Sequence, residues 1–175
     1  MQKKITKLSV FDFDGTLISS PLPETGKVLY EQKIGQKWPH KGWWGKKESL
    51  DTNIFDIEAI DEVIVDYKVE ILKEDTLVIM LTGRLTVLAK DVESILEIKG
   101  LKFDEHHYNT GGETCYVKLR TLDKTLERFP DIKEISIWDD RSEHIPRFQA
   151  WGDKQILDGL INKFNITHVL NGQHG

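Results

Sequence analysis

Cysteine is almost missing from this sequence: one residue, Cys115, in 175. A single thiol excludes an internal disulfide and suits a reducing compartment. No base partner for it is evident, so it reads as a small, partly buried filler rather than a nucleophile. Long apolar runs are also missing. The stretch MQKKITKLSVFDFDG turns from charged to apolar, but its apolar run is interrupted and ends in acids. It reads as neither a signal peptide nor a membrane span. There is no excess of positive charge: 24 Lys and Arg against 29 Asp and Glu leave a net charge of -5. That argues against non-specific coating of nucleic acid but leaves room for a local basic groove. Internal repeats, low-complexity tracts and inter-domain linkers are absent too. What remains is 30% charged and 39% hydrophobic, ordinary for a soluble globular protein. The length suits one domain, residues 1–175, with a sizeable core. The expectation is a soluble, cytoplasmic protein with no membrane partner. No oligomeric state is implied.

The stretch that organises the chain is VFDFDGTL, Val10 to Leu17. Apolar residues lead into Asp12 and Asp14, followed by Gly15 and Thr16. In an open α/β sheet, ligands bind beyond the carboxyl ends of strands. Two acids and a glycine turn at such an end can approach a divalent cation and turn backbone amides toward a phosphate. An ordinary strand-to-turn junction is the alternative.

The first strand is expected over about Lys7 to Asp12, followed by a turn-rich segment with Pro21 and Pro23 that leaves the sheet. From Gln32 to Lys47 come five lysines, no acid, and Trp38, Trp43 and Trp44. Glycine and proline prevent a long regular element there. Basic residues interleaved with aromatics can hold phosphates and stack on bases; alternatively, the tryptophans pack the loop and the lysines are solvated. Asp56 to Leu72 has helical apolar spacing, and Thr76 to Leu81 reads as a buried parallel strand ending in Thr82-Gly83-Arg84. A helix is expected over Thr86 to Ile98. A strand beginning at Leu101–Phe103 should follow, then a loop with His106 and His107. These adjacent histidines would face opposite ways on a strand and lack further metal-ligand spacing. Helical spacing returns from Val117 to Phe129. A strand over Glu134 to Trp138 ends in Asp139-Asp140-Arg141. A helix from about Glu143, bent or broken near Gly152, and an edge strand over Ile166 to Leu170 complete the core. The tail, Asn171 to Gly175, carries no core signal.

In a parallel sheet these strand ends share one edge, so Asp12 and Asp14, Thr82, and Asp139 and Asp140 converge. The chemistry that needs this set is phosphoryl transfer through an aspartyl-phosphate. A carboxylate approaching a phosphate needs its repulsion neutralised by a hard cation such as Mg²⁺. A lysine and a hydroxyl complete the clamp around the transferring oxygens. A second aspartate can protonate the leaving alkoxide and later activate water.

These motifs resemble the haloacid dehalogenase (HAD) superfamily of phosphohydrolases: FDFDGTL, LTGR, a lone lysine and WDDR. The resemblance implies a Rossmannoid α/β three-layer sandwich with a central, mainly parallel sheet and only a small lid insertion, at about 19–75. It implies Asp12 as nucleophile, Asp14 as general acid/base and Thr82 as a phosphoryl ligand. Mg²⁺ would be held by the Asp12 carboxylate, the Asp14 backbone carbonyl and Asp139, with Asp140 helping. Lys118, at a helix start about twenty residues before Asp139, is the choice for the third motif, with Lys124 in reserve.

SPLP, GWW, LTGR, TCYVK and WDDRSEHIPRF narrow the resemblance to the HAD domain of Swiss Army Knife RNA repair proteins. A hydroxyl residue before Gly-Arg, with Asp-Asp-Arg, is similar to the 3′-phosphatase domains of phage polynucleotide kinase-phosphatases. Both imply a nucleic acid end or nucleotide as the phosphorylated substrate. Gly83, Arg84, Arg141, Trp43 and Trp44 would then bind it, the two arginines contacting the phosphate or orienting acids in the site, with His144 and the Lys/Trp segment facing it. For the arginines, structural ion pairing is the alternative. A small-molecule phosphatase, a phosphotransferase of the same class and a catalytically idle nucleotide- or RNA-binding module are the competing readings.

Overall fold

Strand alternation decides how this molecule is layered. The computed structural model describes residues 3–170. Among these are five strands, β1 (Lys7–Phe11), β2 (Thr76–Leu85), β3 (Glu105–Asn109), β4 (Glu134–Asp139) and β5 (Lys163–His168). Five α-helices accompany them: α1 (Pro23–Ile34), α2 (Asp61–Ile71), α3 (Ala89–Ile98), α4 (Thr114–Arg128) and α5 (Ile145–Leu157). The sheet runs β3-β2-β1-β4-β5 with every pair parallel. Leu8, Val10, Leu77, Ile79, Ile135 and Ile137 share one face with Leu122 of α4 and Phe148 of α5. Phe11, Val78, Met80 and Trp138 share the other with Tyr67 of α2 and Val92 and Leu96 of α3. A strand buried on both faces takes apolar residues at both phases, which is why β2 carries a continuous apolar run over Leu77–Leu81. The result is the expected three-layer α/β sandwich. No helix among the described residues is long and apolar enough to cross a membrane.

The strand order positions the site. From β1 the chain winds outward through β2 to β3, then crosses back to β4 on the far side of β1. The connections leaving β1 and β4 therefore diverge, opening a crevice at their carboxyl ends.

Several boundaries differ from the sequence expectation, each for a local reason. α1 has no apolar stripe to announce it, since Gly26 alone among its residues is buried. It starts on Pro23 and stops at Gly35, whose φ of 82° is left-handed. β2 continues through Leu85, with an irregular register against β3 between Leu81 and Leu85. Thr82-Gly83-Arg84 thus belongs to a distorted strand end rather than a free turn. β3 starts at Glu105, not Leu101, which packs in the core. Asp104 seats it: its backbone N–H donates to the Val78 carbonyl, and its carboxylate accepts from the Val78 N–H, both at 2.8 Å. His106 and His107 are consequently strand residues, and they do face apart, toward Glu93 and Glu105 respectively. α5 passes Gly152 unbroken, and the missing side chain makes room for Phe164 of β5, which an added Cβ would meet at 2.2 Å. β5 spans Lys163–His168, slightly earlier than expected. The tail from Asn171 lies outside the described residues.

Between α1 and α2 the chain is irregular apart from a 3₁₀ turn over Lys47–Leu50. Trp38 and Trp43 pack against each other here, their rings tilted by 45° with centroids 4.7 Å apart. The Trp43 ring lies over Gly26 of α1, where a Cβ would approach within 2.1 Å. Lys33, Lys37, Lys41 and Lys47 are exposed. For Trp38, Trp43 and these lysines, the packed-loop alternative is the one the molecule adopts.

Candidate active site

β1 hands over to a tight loop. The Asp12 N–H extends the pairing with β4 by donating to the Trp138 carbonyl at 3.0 Å. The Phe13 carbonyl then accepts from the N–H groups of Thr16, Leu17 and Ile18 at 3.3, 3.0 and 3.2 Å. Closing so small a loop requires the left-handed backbone of Gly15, φ 73°. Asp12 stays in line with the strand, while Asp14 is carried toward the end of β2.

The Lys118 ammonium of α4 joins two strands. Its Nζ donates to Asp12 Oδ1 at 2.9 Å and to Asp139 Oδ2 at 2.8 Å. Asp12 Oδ2 accepts from the Thr16 hydroxyl at 3.1 Å, and that hydroxyl also lies 3.4 Å from Asp140 Oδ1. Asp139 Oδ1 accepts from the Arg141 backbone N–H at 3.0 Å. One carboxylate oxygen from each of Asp12, Asp139 and Asp140 lies within 4.8 Å of the others. All three acids are buried.

Burial alone would lower the Lys118 pKa, but the charges of Asp12 and Asp139 overcome it and hold the ammonium above its ordinary value. Burial, with the Asp12 charge added, raises the Asp139 carboxyl against the pull of Lys118. The same two causes push Asp140 up to about 10. Three clustered acids with one ammonium are short of positive charge. An all-oxygen donor set at this spacing fits a hard divalent cation. His144 also borders the cluster, its Nδ1 buried, without a hydrogen-bond partner among the described residues and 3.9 Å from Asp139 Oδ1. Burial lowers its pKa despite the Asp139 charge.

Asp14 is held apart from this cluster. Arg84 donates to it twice, Nε to Oδ2 at 2.9 Å and Nη2 to Oδ1 at 2.8 Å, and the Ser20 hydroxyl adds a contact at 2.5 Å. Arg84 Nη1 reaches the Trp44 carbonyl at 2.7 Å and Ser49 Oγ at 2.6 Å, tying the segment between α1 and α2 to the sheet edge. Its guanidinium also sits 5.0 Å from the Trp44 ring centroid, with Arg141 at 5.8 Å.

These groups border a cavity of about 210 Å³. Asp12, Asp14, Lys118, Gly83, Arg84 and Arg141 line it, as do Trp44 and His144. Thr82 lies just behind, buried, its hydroxyl accepting from the Arg84 N–H at 3.1 Å. Trp43 does not reach the cavity, because it is consumed in packing on Gly26 and Phe55. Its indole N–H donates to the Pro21 carbonyl at 3.1 Å. Lys124 is on an exposed part of α4 and lines a different recess. Three site residues carry no role in the sequence reading: Thr16, Ser20 and Thr114, which lines the cavity. Thr16 lies inside the first motif, so the signal was available there. Ser20 and Thr114 are visible only once the chain is folded.

The model of HAD domain family 1 in Swiss Army Knife RNA repair proteins matches residues 20–174. The chain belongs to this family. Membership supports a phosphatase-type function for the HAD domain described here. The uncharacterized protein YMR265C of Saccharomyces cerevisiae is 27% identical over 173 residues, covering 84% of this chain and 37% of that protein. Among solved structures, a chain of the Pnkp1/Rnl/Hen1 complex is similar at 15% identity and TM-score 0.55, over 97% of this chain and 47% of that one. The HAD domain of the Legionella pneumophila effector protein Lem4 is similar at 16% identity and TM-score 0.54, over 98% and 90%. The HAD domain therefore spans under half the length of the yeast relative and of the Pnkp1/Rnl/Hen1 chain, and the two structural likenesses concern the fold.

Proposed function

We propose that this chain is a Mg²⁺-dependent phosphomonoester hydrolase that works through an aspartyl-phosphate on Asp12, and that its substrate is a nucleic acid end or a nucleotide. The observation that carries the reading is the buried meeting of Asp12, Lys118 and Asp139, with Asp14 oriented separately by Arg84. In the first half-reaction, Asp12 Oδ attacks phosphorus, the ester P–O bond breaks, and the leaving alkoxide takes a proton from the Asp14 carboxyl. In the second, water gives that proton's replacement to Asp14 and attacks the same phosphorus. The P–O bond to Asp12 breaks, inorganic phosphate leaves and both carboxyl groups return to their starting states. Lys118 offsets charge on the nucleophile throughout, and Thr82 and Gly83 offer donors to the phosphoryl oxygens. Mg²⁺ held by Asp12, Asp139, Asp140 and the Asp14 carbonyl would screen the phosphate from the nucleophile.

Two things support a nucleic acid or nucleotide substrate. The family is named for RNA repair proteins. The cavity, about 210 Å³, takes a phosphoryl end but falls below the roughly 300–1,000 Å³ of sites that enclose a drug-sized ligand. The remainder of the substrate then stays outside, which suits a macromolecular end. A reducing, cytoplasmic setting is consistent with the buried free thiol of Cys115.

The test is phosphate release from p-nitrophenyl phosphate, nucleoside monophosphates and oligonucleotides with 3′- or 5′-phosphate, with Mg²⁺ and after chelation. Preference for one oligonucleotide end, lost on chelation, is expected. Release from small esters alone keeps the hydrolase and removes the nucleic acid. No release from any substrate overturns the proposal.

A further inference from the structure

A recess of about 820 Å³ lies outside the catalytic cavity, between the free edge of β3 and α4. We infer that it is the track for the single-stranded polynucleotide whose phosphorylated end enters the cavity; this rests on the nucleic acid reading above and extends it to a second surface.

Placement is the first argument. Thr114 and Lys118 of α4 face the cavity, while Val117, Arg120 and Lys124 of the same helix line the recess. The recess begins at Thr110 and Gly111, just past the carboxyl end of β3, which is the sheet edge that also carries Asp12. A strand leaving the cavity past Thr114 therefore meets this recess along α4.

Charge is the second. Arg120 and Lys124 are exposed, and neither forms an ion pair among the described residues. Four residues apart on a helix, they are separated by about 6 Å along its axis. One acid, Glu105, lies in the recess, and it is already neutralised. Arg128 donates to it twice, at 2.7 Å each, and His107 lies 2.8 Å away. The Arg128 contacts, with that of His107, hold the Glu105 carboxyl down at about 2. Three fixed cations thus face one satisfied carboxylate, on a chain whose net charge is -5. Arg120 and Lys124 are left to meet phosphates.

Stacking surface is the third. Tyr116, 57% exposed, stands at the end of the recess nearest the cavity. Aromatics beside unpaired cations are the pattern by which single strands are held without sequence preference. The lid lysines lack this arrangement, since Trp38 and Trp43 beside them are packed into the molecule.

The test compares the full chain with an Arg120→Glu/Lys124→Glu variant, both residues being exposed and outside the catalytic set. Binding of a fluorescein-labelled single-stranded RNA of about eight nucleotides, within the usual site size, is followed by anisotropy. The RNA carries no terminal phosphate, so the recess is read without the cavity. The variant should bind at least about tenfold more weakly at low salt. An Arg120→Gln/Lys124→Gln variant should lose roughly sevenfold less affinity than the parent between about 50 and 200 mM salt, the effect of two fewer phosphate contacts. Turnover of p-nitrophenyl phosphate should stay within about twofold of the parent, since neither residue touches the reacting atoms. Equal affinity of parent and charge-reversed variant, or no affinity in the parent, overturns the track. Binding that depends on Arg120 and Lys124, without phosphate release from the phosphorylated RNA, keeps the track and sinks the proposed hydrolysis. Release that ignores both residues does the reverse.

Discussion

Arg84 and Asp14 stand 70 positions apart in the chain and meet through two parallel contacts of 2.9 and 2.8 Å. The pair fastens the loop after β1 to the end of β2. A guanidinium does this where an ammonium cannot, because its donors form a planar fork matched to a carboxylate. The same side chain holds the Trp44 carbonyl and Ser49, so the orientation of Asp14 and the seating of the segment between α1 and α2 depend on one residue.

Arg84→Lys preserves the charge and removes the fork. Asp14 keeps Ser20 but loses its fixed direction, so on the proposed mechanism proton delivery should suffer more than binding does. The expected outcome is a fall in kcat of about 10- to 100-fold with KM changed much less. Steady-state kinetics on p-nitrophenyl phosphate measure the split. A rise in KM at unchanged kcat would make Arg84 a substrate ligand instead.

In the proposed mechanism Asp140 would couple metal binding to pH. Its carboxyl, pushed up to about 10 by burial and then by Asp12, compares with about 3.9 for a free aspartate. Between those values the folded, metal-free protein binds a proton that the unfolded chain does not, so this group makes stability fall as pH rises. Asp140→Asn removes that cost. Under chelation its Tm should exceed that of the parent, by a margin that widens from pH 5 to pH 8. With Mg²⁺ the order should narrow or reverse, because the parent gains more from the ion. Thermal scans across pH, with Mg²⁺ or EDTA, read all of this. A margin that shrinks with pH under chelation would contradict the assignment.

What the sequence made legible follows from where its signals are local. β2 is a continuous apolar run over Leu77–Leu81, and apolar residues dominate β1 and β4 up to the acids that follow them, so the strands, their shared edge and Asp12, Asp139 and Asp140 could be read directly. Lys118 was reachable because a single helix separates it from Asp139. The resemblance allowed Arg84 to orient an acid of the site but did not single out Asp14, since no pattern connects two charges so distant in sequence. α1 stayed hidden because it buries so little, and β3 because Asp104 begins its pairing with a side chain. With β3 displaced, Lys124 was visible only as the reserve to Lys118, and nothing local marked Arg120 or the recess beside it.

Trp43 and Trp44 are adjacent and should behave differently. Trp43 is 4% exposed and fills the space above Gly26, so Trp43→Ala should cost about 3–5 kcal/mol of stability. On a chain of this length that lowers Tm by roughly 10 °C. Trp44 borders the cavity and faces two guanidinium groups. Trp44→Ala should leave Tm within a few degrees and lower kcat/KM on an oligonucleotide more than on p-nitrophenyl phosphate. Matching thermal losses in the two variants would place Trp44 in the core as well.

Asp12→Asn is the most direct probe of the nucleophile. The amide is nearly isosteric and keeps an oxygen for Lys118 or Thr16, so the cavity retains its shape. It also removes the Asp12 charge, which relieves Asp139 and Asp140 under chelation. Tm without metal should therefore hold or rise. Turnover should fall by at least roughly 10³-fold, because an amide oxygen is a poor nucleophile toward phosphorus and no second carboxylate occupies its position. The two readouts must be taken together. Lost turnover with lost fold would say only that the cluster is structural, whereas lost turnover at an undiminished Tm isolates chemistry at one atom. Turnover at the parent rate would remove Asp12 as nucleophile and, with it, the aspartyl-phosphate.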